Sequence, residues 1–213
     1  MASFGARTTS VAPERLAGWF QRFVTSHGES EVTSGPTSVD LRAADGSQVH
    51  VEVPFPPLPV GPPDPWQALV EHASRDRKIA VLLIRRGGYA AGIFHRGELT
   101  VSKVGTRYVQ GRTAAGGQSQ QRFARRRDNQ AAALVGSAVE VAARILAPQA
   151  PSLAALVTGG DRPLISAALA DPRLATLAAL PRGPWLAVSD PRLTVLREAG
   201  VSARSVRITI TDA

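Results

Sequence analysis

Two rhythms of apolar and polar residues alternate along this chain. At 13–26 (PERLAGWFQRFVTS), Leu16, Trp19, Phe20 and Phe23 recur at helical spacing, which predicts a short helix. Trp19 reads as a packing residue of that helix rather than a platform for a base, because aromatic stripes at this spacing pack. Residues 38–42 and 48–53 alternate with period two around Asp45-Gly46, the pattern of a β-hairpin. Residues 1–10 follow neither rhythm and are expected to be disordered.

Segment 54–65 (PFPPLPVGPPDP) holds seven prolines and is expected to be an extended, polyproline-like connector. Asp64 then suits a helix N-cap, with Pro65 at the first helical position and the helix running to about residue 75. Runs 79–85 (IAVLLIR), 89–95 (YAAGIFH) and 98–104 (ELTVSKV) are separated by short glycine turns, which predicts an antiparallel meander. A helix is expected from Ser119 to about Leu146, before Pro148. Its apolar stripe, Leu134, Val135, Ala138, Val141, Ala142 and Ile145, should pack on the sheet. Beyond it the pattern predicts strand 153–158, a turn with Asp161 as cap, helix 162–170, strand 185–189, helix 191–199 and strand 205–211. A meander followed by alternating strands and helices implies an α/β chain of mixed α+β character. The expected architecture is a mixed β-sheet with helices on both faces.

Charge narrows the function. The 213 residues carry a formal net charge of +8. Segment 103–127 (KVGTRYVQGRTAAGGQSQQRFARRR) holds seven basic residues and no acidic one: Lys103, Arg107, Arg112, Arg122, Arg125, Arg126 and Arg127. Such clustering points to a polyanion. At its centre Gly116-Gly117-Gln118 lies in a stretch of about a dozen residues without a helix or strand pattern, and loops of that length are usually functional.

Several chemistries are excluded or unsupported. The chain has no cysteine, so disulfides and thiolate metal sites are absent. His27, His50, His72 and His95 lack metal-ligand spacing. There is no Gly-x-Ser-x-Gly elbow, Walker loop or dinucleotide loop. Gly87-Gly88 and Gly159-Gly160-Asp161 read as strand-end turns rather than phosphate loops. His95 and Glu98 flank a hairpin turn and read as structural. An enzyme built on this chain works without an acid–base dyad of its own. No apolar signal core and no run of about 18 apolar residues occurs, so a cytoplasmic location is expected.

The string Gly111-Arg112, Gly116-Gly117-Gln118-Ser119, Arg122-Phe123-Ala124-Arg125 and Arg127 resembles the catalytic loop of the central domain of eukaryotic and archaeal class I peptide-chain release factors. Thr113, Ala114 and Ala115 lengthen it relative to that family. The resemblance runs clearly over about 79–146 and loosely to about residue 200; neither a codon-reading domain nor a third domain is expected. A free-standing domain of this kind is similar to the VLRF family (Vms-like release-factor domains), whose bacterial members are regarded as peptidyl-tRNA hydrolases of ribosome rescue or quality control. The resemblance implies a release-factor central-domain-like fold with a long protruding loop. It divides the chain into an N-terminal extension with a short helix (1–33) and a catalytic domain (34–213).

It further implies that Gln118 is catalytic and that Gly116 and Gly117 shape its loop. Lys103, Arg107, Arg112, Ser119, Arg122, Arg125, Arg126 and Arg127 are then the RNA-binding residues. The implied partners are peptidyl-tRNA and the ribosomal large subunit with its rRNA, with no membrane, DNA, metal or cofactor. Two other readings of the same residues stay open: an endonuclease of the tRNA 3′ (CCA) end, and a non-catalytic RNA-binding module.

Overall fold

The structure, a computed structural model, describes residues 5–59, 61, 64–106 and 119–213, and for 119–124, 126 and 127 the backbone alone. The chain forms two compact units, one of Met1–Asp76 with Arg204–Ala213 and one of Arg77–Ala203. The first contains β1 (Arg7–Val11), α1 (Pro13–His27), β2 (Ser30–Ser34), β3 (Ser38–Ala43), β4 (Gln48–Glu52) and α2 (Pro65–Ser74). The second contains β5 (Ile79–Arg85), β6 (Gly88–His95), β7 (Glu98–Thr106), α3 (Ser119–Ile145), β8 (Ala155–Gly160), α4 (Arg162–Leu169), the single turn α5 (Ala175–Ala178), β9 (Arg182–Leu186) and α6 (Leu193–Arg204). The last strand, β10 (Val206–Thr211), returns to the first unit.

The first unit is a five-stranded antiparallel sheet in the order β1-β10-β4-β3-β2. Its buried face follows the period-two pattern: Val39, Leu41, Val49, Val51, Ile208 and Ile210 point to one side. Leu16 and Phe23 of α1 and Trp66 and Leu69 of α2 cover them. Trp19 stacks on Phe23 and Trp66 at centroid distances of 5.5 and 6.0 Å, the packing role expected of it. Asp64 caps α2 as anticipated, accepting from the Gln67 amide at 2.9 Å.

Three expectations in this unit are corrected. Residues 7–11 are an edge strand, not disordered, and 30–34 form a strand that no pattern announced. Both lie at the sheet's edges and are mostly polar, so neither shows an apolar–polar alternation in its sequence. The proline-rich segment is docked rather than simply extended. Leu58 is fully buried, its amide donates to the Pro36 carbonyl at 2.8 Å, and Phe55 takes a φ of 52°. Pro54 is buried as well, and burial of apolar groups holds the segment on the core.

The second unit is a mixed sheet in the order β7-β6-β5-β8-β9. β7, β6 and β5 form the expected antiparallel meander, while β5–β8 and β8–β9 pair in parallel. Ala80, Leu82, Ile84, Ala91 and Ile93 face α3 and α4. Gly92 and Phe94, on the opposite face of β6, meet Leu196 and Gly200 of α6. A Cβ at Gly200 would collide with the Phe94 ring, so the glycine sets how closely α6 approaches. Mixed α/β class with helices on both faces of this sheet therefore holds, with the strands divided between two sheets. β9 begins three residues earlier than expected because it includes Pro184. An edge strand tolerates a proline, which the sequence pattern takes for a stop.

Candidate functional site

Two elements of the second unit flank the centre of the basic segment: β7 ends at Thr106 and α3 begins at Ser119. β7 continues to Thr106, two residues past the alternating run, and pairs there with Gly88. Two glycines make this strand end narrow. A Cβ at Gly88 would meet the Gly105 carbonyl oxygen at 2.5 Å, and one at Gly105 would overlap the Tyr89 ring. The Tyr89 ring thus lies across the backbone of β7 just before the segment departs.

The second flank is α3, a helix of 27 residues. At about 1.5 Å per residue it is roughly 40 Å long. Its second half is clamped. Leu134, Ala138 and Ala142 are completely buried, and Val139 and Val141 nearly so, at spacings that keep one side of the helix on β5 and β6; Leu146, just past the helix end, is completely buried too. Burial of each large side chain contributes about 1.5–3 kcal/mol. Toward the N-terminus the burial stops: Arg125, Asp128 and Asn129 are exposed. The helix is anchored through its second half, and its first half carries the basic run.

Of the residues singled out by sequence, Lys103 lies on β7 and Arg125 on α3, both exposed and neither in an ion pair with another described residue. Ser119, Arg122, Arg126 and Arg127 lie on the α3 backbone. Arg107, Arg112, Gly116, Gly117 and Gln118 fall in 107–118, outside the described residues. The helix macrodipole places partial positive charge, about half an elementary charge, at Ser119, next to Gln118 in sequence. That adds to the basic side chains in favouring an anion there.

The remaining turns take their structural roles. Arg86-Gly87 turns β5 into β6, and Gly160, at φ 98°, turns β8 into α4. Asp161 occupies the N-cap position of α4, but its side chain makes no capping hydrogen bond, contrary to expectation. Its backbone amide donates instead to the Ile84 carbonyl at 2.8 Å. Among the described residues no group of three His, Cys, Asp or Glu could hold a metal ion, and no helix is long and apolar enough to cross a membrane.

Comparison with known proteins adds a family. Residues 77–209 match the family acVLRF1, described as the Actinobacteria/chloroflexi VLRF1 release factor. The match starts at the first residue of the second unit. Among solved structures, the archaeal translation termination factor aRF1 aligns with 14% sequence identity and a TM-score of 0.44, over 95% of this chain and 65% of that one. The chain thus spans a little under two thirds of that factor's length. No curated protein matches.

Proposed function

The chain belongs to the VLRF1 release-factor family, and on that premise we propose that it hydrolyses the ester of peptidyl-tRNA, freeing nascent chains on stalled ribosomes or large subunits. One observation carries the reading: Gly116-Gly117-Gln118 sits inside a basic run, next to the N-terminus of an anchored helix, in a member of a release-factor family. The proposed setting is cytoplasmic.

The chemistry asks little of the protein. The ester is already activated, so a positioned water and the exclusion of other nucleophiles supply most of what is needed. The water oxygen bonds to the carbonyl carbon and the bond to the ribose 3′ oxygen breaks. The water's proton ends on that 3′ oxygen, relayed by the neighbouring ribose hydroxyl. The products are a peptide carboxylic acid and a tRNA with an intact 3′ end. Gln118 is neutral at every working pH and cannot be the base. Its amide orients the water, and its backbone N–H stabilises the developing oxyanion. Gly116 and Gly117 remove side-chain bulk where the chain meets the tRNA terminus. Lys103 and the arginines hold phosphates.

The test is release of labelled peptide from peptidyl-tRNA on isolated large subunits and on intact stalled ribosomes. Gln118→Ala should slow release by about 10²-fold or more and leave binding in place. A Gln118→Ala protein as active as the parent refutes the mechanism. A product tRNA shortened at its CCA end would assign nuclease activity instead. Binding with no product from the parent protein would leave a non-catalytic RNA module.

A further inference from the structure

The two glycine turns that read as plain connections in the sequence meet at one end of the second unit. From the carboxyl ends of the parallel neighbours β5 and β8 the chain departs in opposite directions, to β6 through Arg86-Gly87 and toward β9 through Gly160-Asp161. This divergence opens a crevice, the place where open α/β sheets bind ligands. It measures about 690 Å³ and is lined by three cations and three anions: Arg85, Arg86, Arg162, Asp128, Asp161 and Asp190. Leu134 of α3 contributes an apolar patch to its wall.

Six charges share this cleft, yet no arginine forms an ion pair with an aspartate. Each group is held by something else or by nothing. Arg85 donates to the Val188 carbonyl at 2.7 Å. Arg162 lies over the Trp185 ring, its Cζ 4.2 Å from the centroid. Arg86 is exposed and, among the described residues, has no hydrogen-bond or ion-pair partner. Asp190 rests against the β5–β6 turn, where a Cβ at Gly87 would lie 3.1 Å from its Cγ. Asp161 does not cap its own helix. The aspartates do not form a metal centre, since no suitable group of three exists among the described residues. Planar guanidinium forks match phosphate oxygens, and carboxylates accept from ribose hydroxyls and exocyclic base amines. A ligand that offers both kinds of group at adjacent points is a ribonucleotide.

We infer that this cleft is a second RNA contact, taking the sugar–phosphate backbone of the strand whose end lies at Gln118. Phosphate sits on Arg86 and Arg162, and ribose hydroxyls on Asp161 and Asp190. The inference rests on the peptidyl-tRNA reading for the identity of that strand. The spacing suits it. Asp128, on the cleft wall, is nine helical residues from Ser119, about 14 Å along the axis. That is about four nucleotides of a helical strand. The exposed Arg125 lies between the two points.

The experiment uses deacylated tRNA, so no ester is cleaved and its outcome is independent of Gln118 chemistry. Binding is measured against salt for the parent, Arg86→Ala/Arg162→Ala, Asp161→Ala/Asp190→Ala, and Arg197→Ala, which changes an exposed arginine of α6 outside the cleft. The arginine pair should flatten the log–log salt slope by about 1.5. The aspartate pair should bring the preference for an RNA hairpin over the same DNA hairpin to near parity. Arg197→Ala should change neither, and all variants should keep the parent's melting temperature to within a few degrees. An unchanged slope in the arginine pair, or an equal effect of Arg197→Ala, overturns the inference. Displacement of tRNA by a ribonucleoside monophosphate at equal concentration overturns it in favour of a free nucleotide.

Discussion

The Tyr89 ring occupies the space that a side chain on Gly105 would need, where the basic segment leaves the sheet. β6 and β7 approach at this point because one partner has no Cβ. Gly105→Ala should therefore overpack the exit and destabilise the domain by about 1–3 kcal/mol. Thermal unfolding checks this. In a double-mutant cycle the cost of Gly105→Ala should largely vanish in a Tyr89→Ala background. An unshifted midpoint for the single variant would show that the ring yields freely.

Leu134 ties the clamped half of α3 to the sheet and is completely buried. Leu134→Ala should cost about 2–5 kcal/mol, read as a lower denaturant midpoint with an unchanged slope. Peptide release by the protein that remains folded should also fall, because the helix that follows Gln118 in sequence has lost an anchor. A fall in stability with release per folded molecule intact would separate packing from presentation.

Gln118 carries the ester chemistry in the proposed mechanism. Gln118→Ala should slow single-turnover release by about 10²-fold or more, the scale of a misplaced reacting group, because the side-chain amide that orients the water is lost while the backbone N–H stays. The parent's release rate should show no titration from this residue between about pH 6 and 8, since an amide stays neutral across that range.

Arg125 is exposed and pairs with no carboxylate among the described residues. With about five basic residues on phosphates, the parent's log–log salt slope for tRNA should be roughly −3.5 to −4.5. Arg125→Glu should flatten it by about one unit and leave the melting temperature unchanged. A large drop in melting temperature would mean that this half of α3 packs against the protein.

Asp171 is held at a pKa of about 2 by hydrogen bonds from the Arg173 side chain and backbone amide, the side-chain bonds at 2.9 and 2.8 Å. Its folded pKa lies below the ordinary value of 3.8. The stability linked to it is thus complete above about pH 4 and is lost as pH falls through 2. An NMR titration of Asp171 should show that midpoint, moving up toward the ordinary value in Arg173→Ala. An identical midpoint in the variant would assign the shift to another group.

Periodicity exposed the elements that bury one side. The meander, α1, α2 and the clamped half of α3 all announced themselves, because each must alternate or recur to fill a core. β1 and β2 did not, being polar edge strands whose partners lie far away in sequence or on one side only. Pro184 hid the start of β9 for a similar reason. The basic run and Gly116-Gly117-Gln118 were legible as a string, since local residue types carry that chemistry. The cleft of Arg86, Asp161 and Arg162 was not legible. Its two turns lie more than seventy residues apart, and only the parallel pairing of β5 with β8 brings them together.

The place of β10 between β1 and β4 sets an order of assembly. Made from its N-terminus, the chain delivers the whole of Arg77–Ala203, with a core of its own, before the strand that joins the halves of the other sheet exists. Until then β1 has no hydrogen-bonding neighbour and β4 keeps an open edge. A premature stop within the last ten residues would spare most of the family-matched region and leave its companion sheet in two pieces.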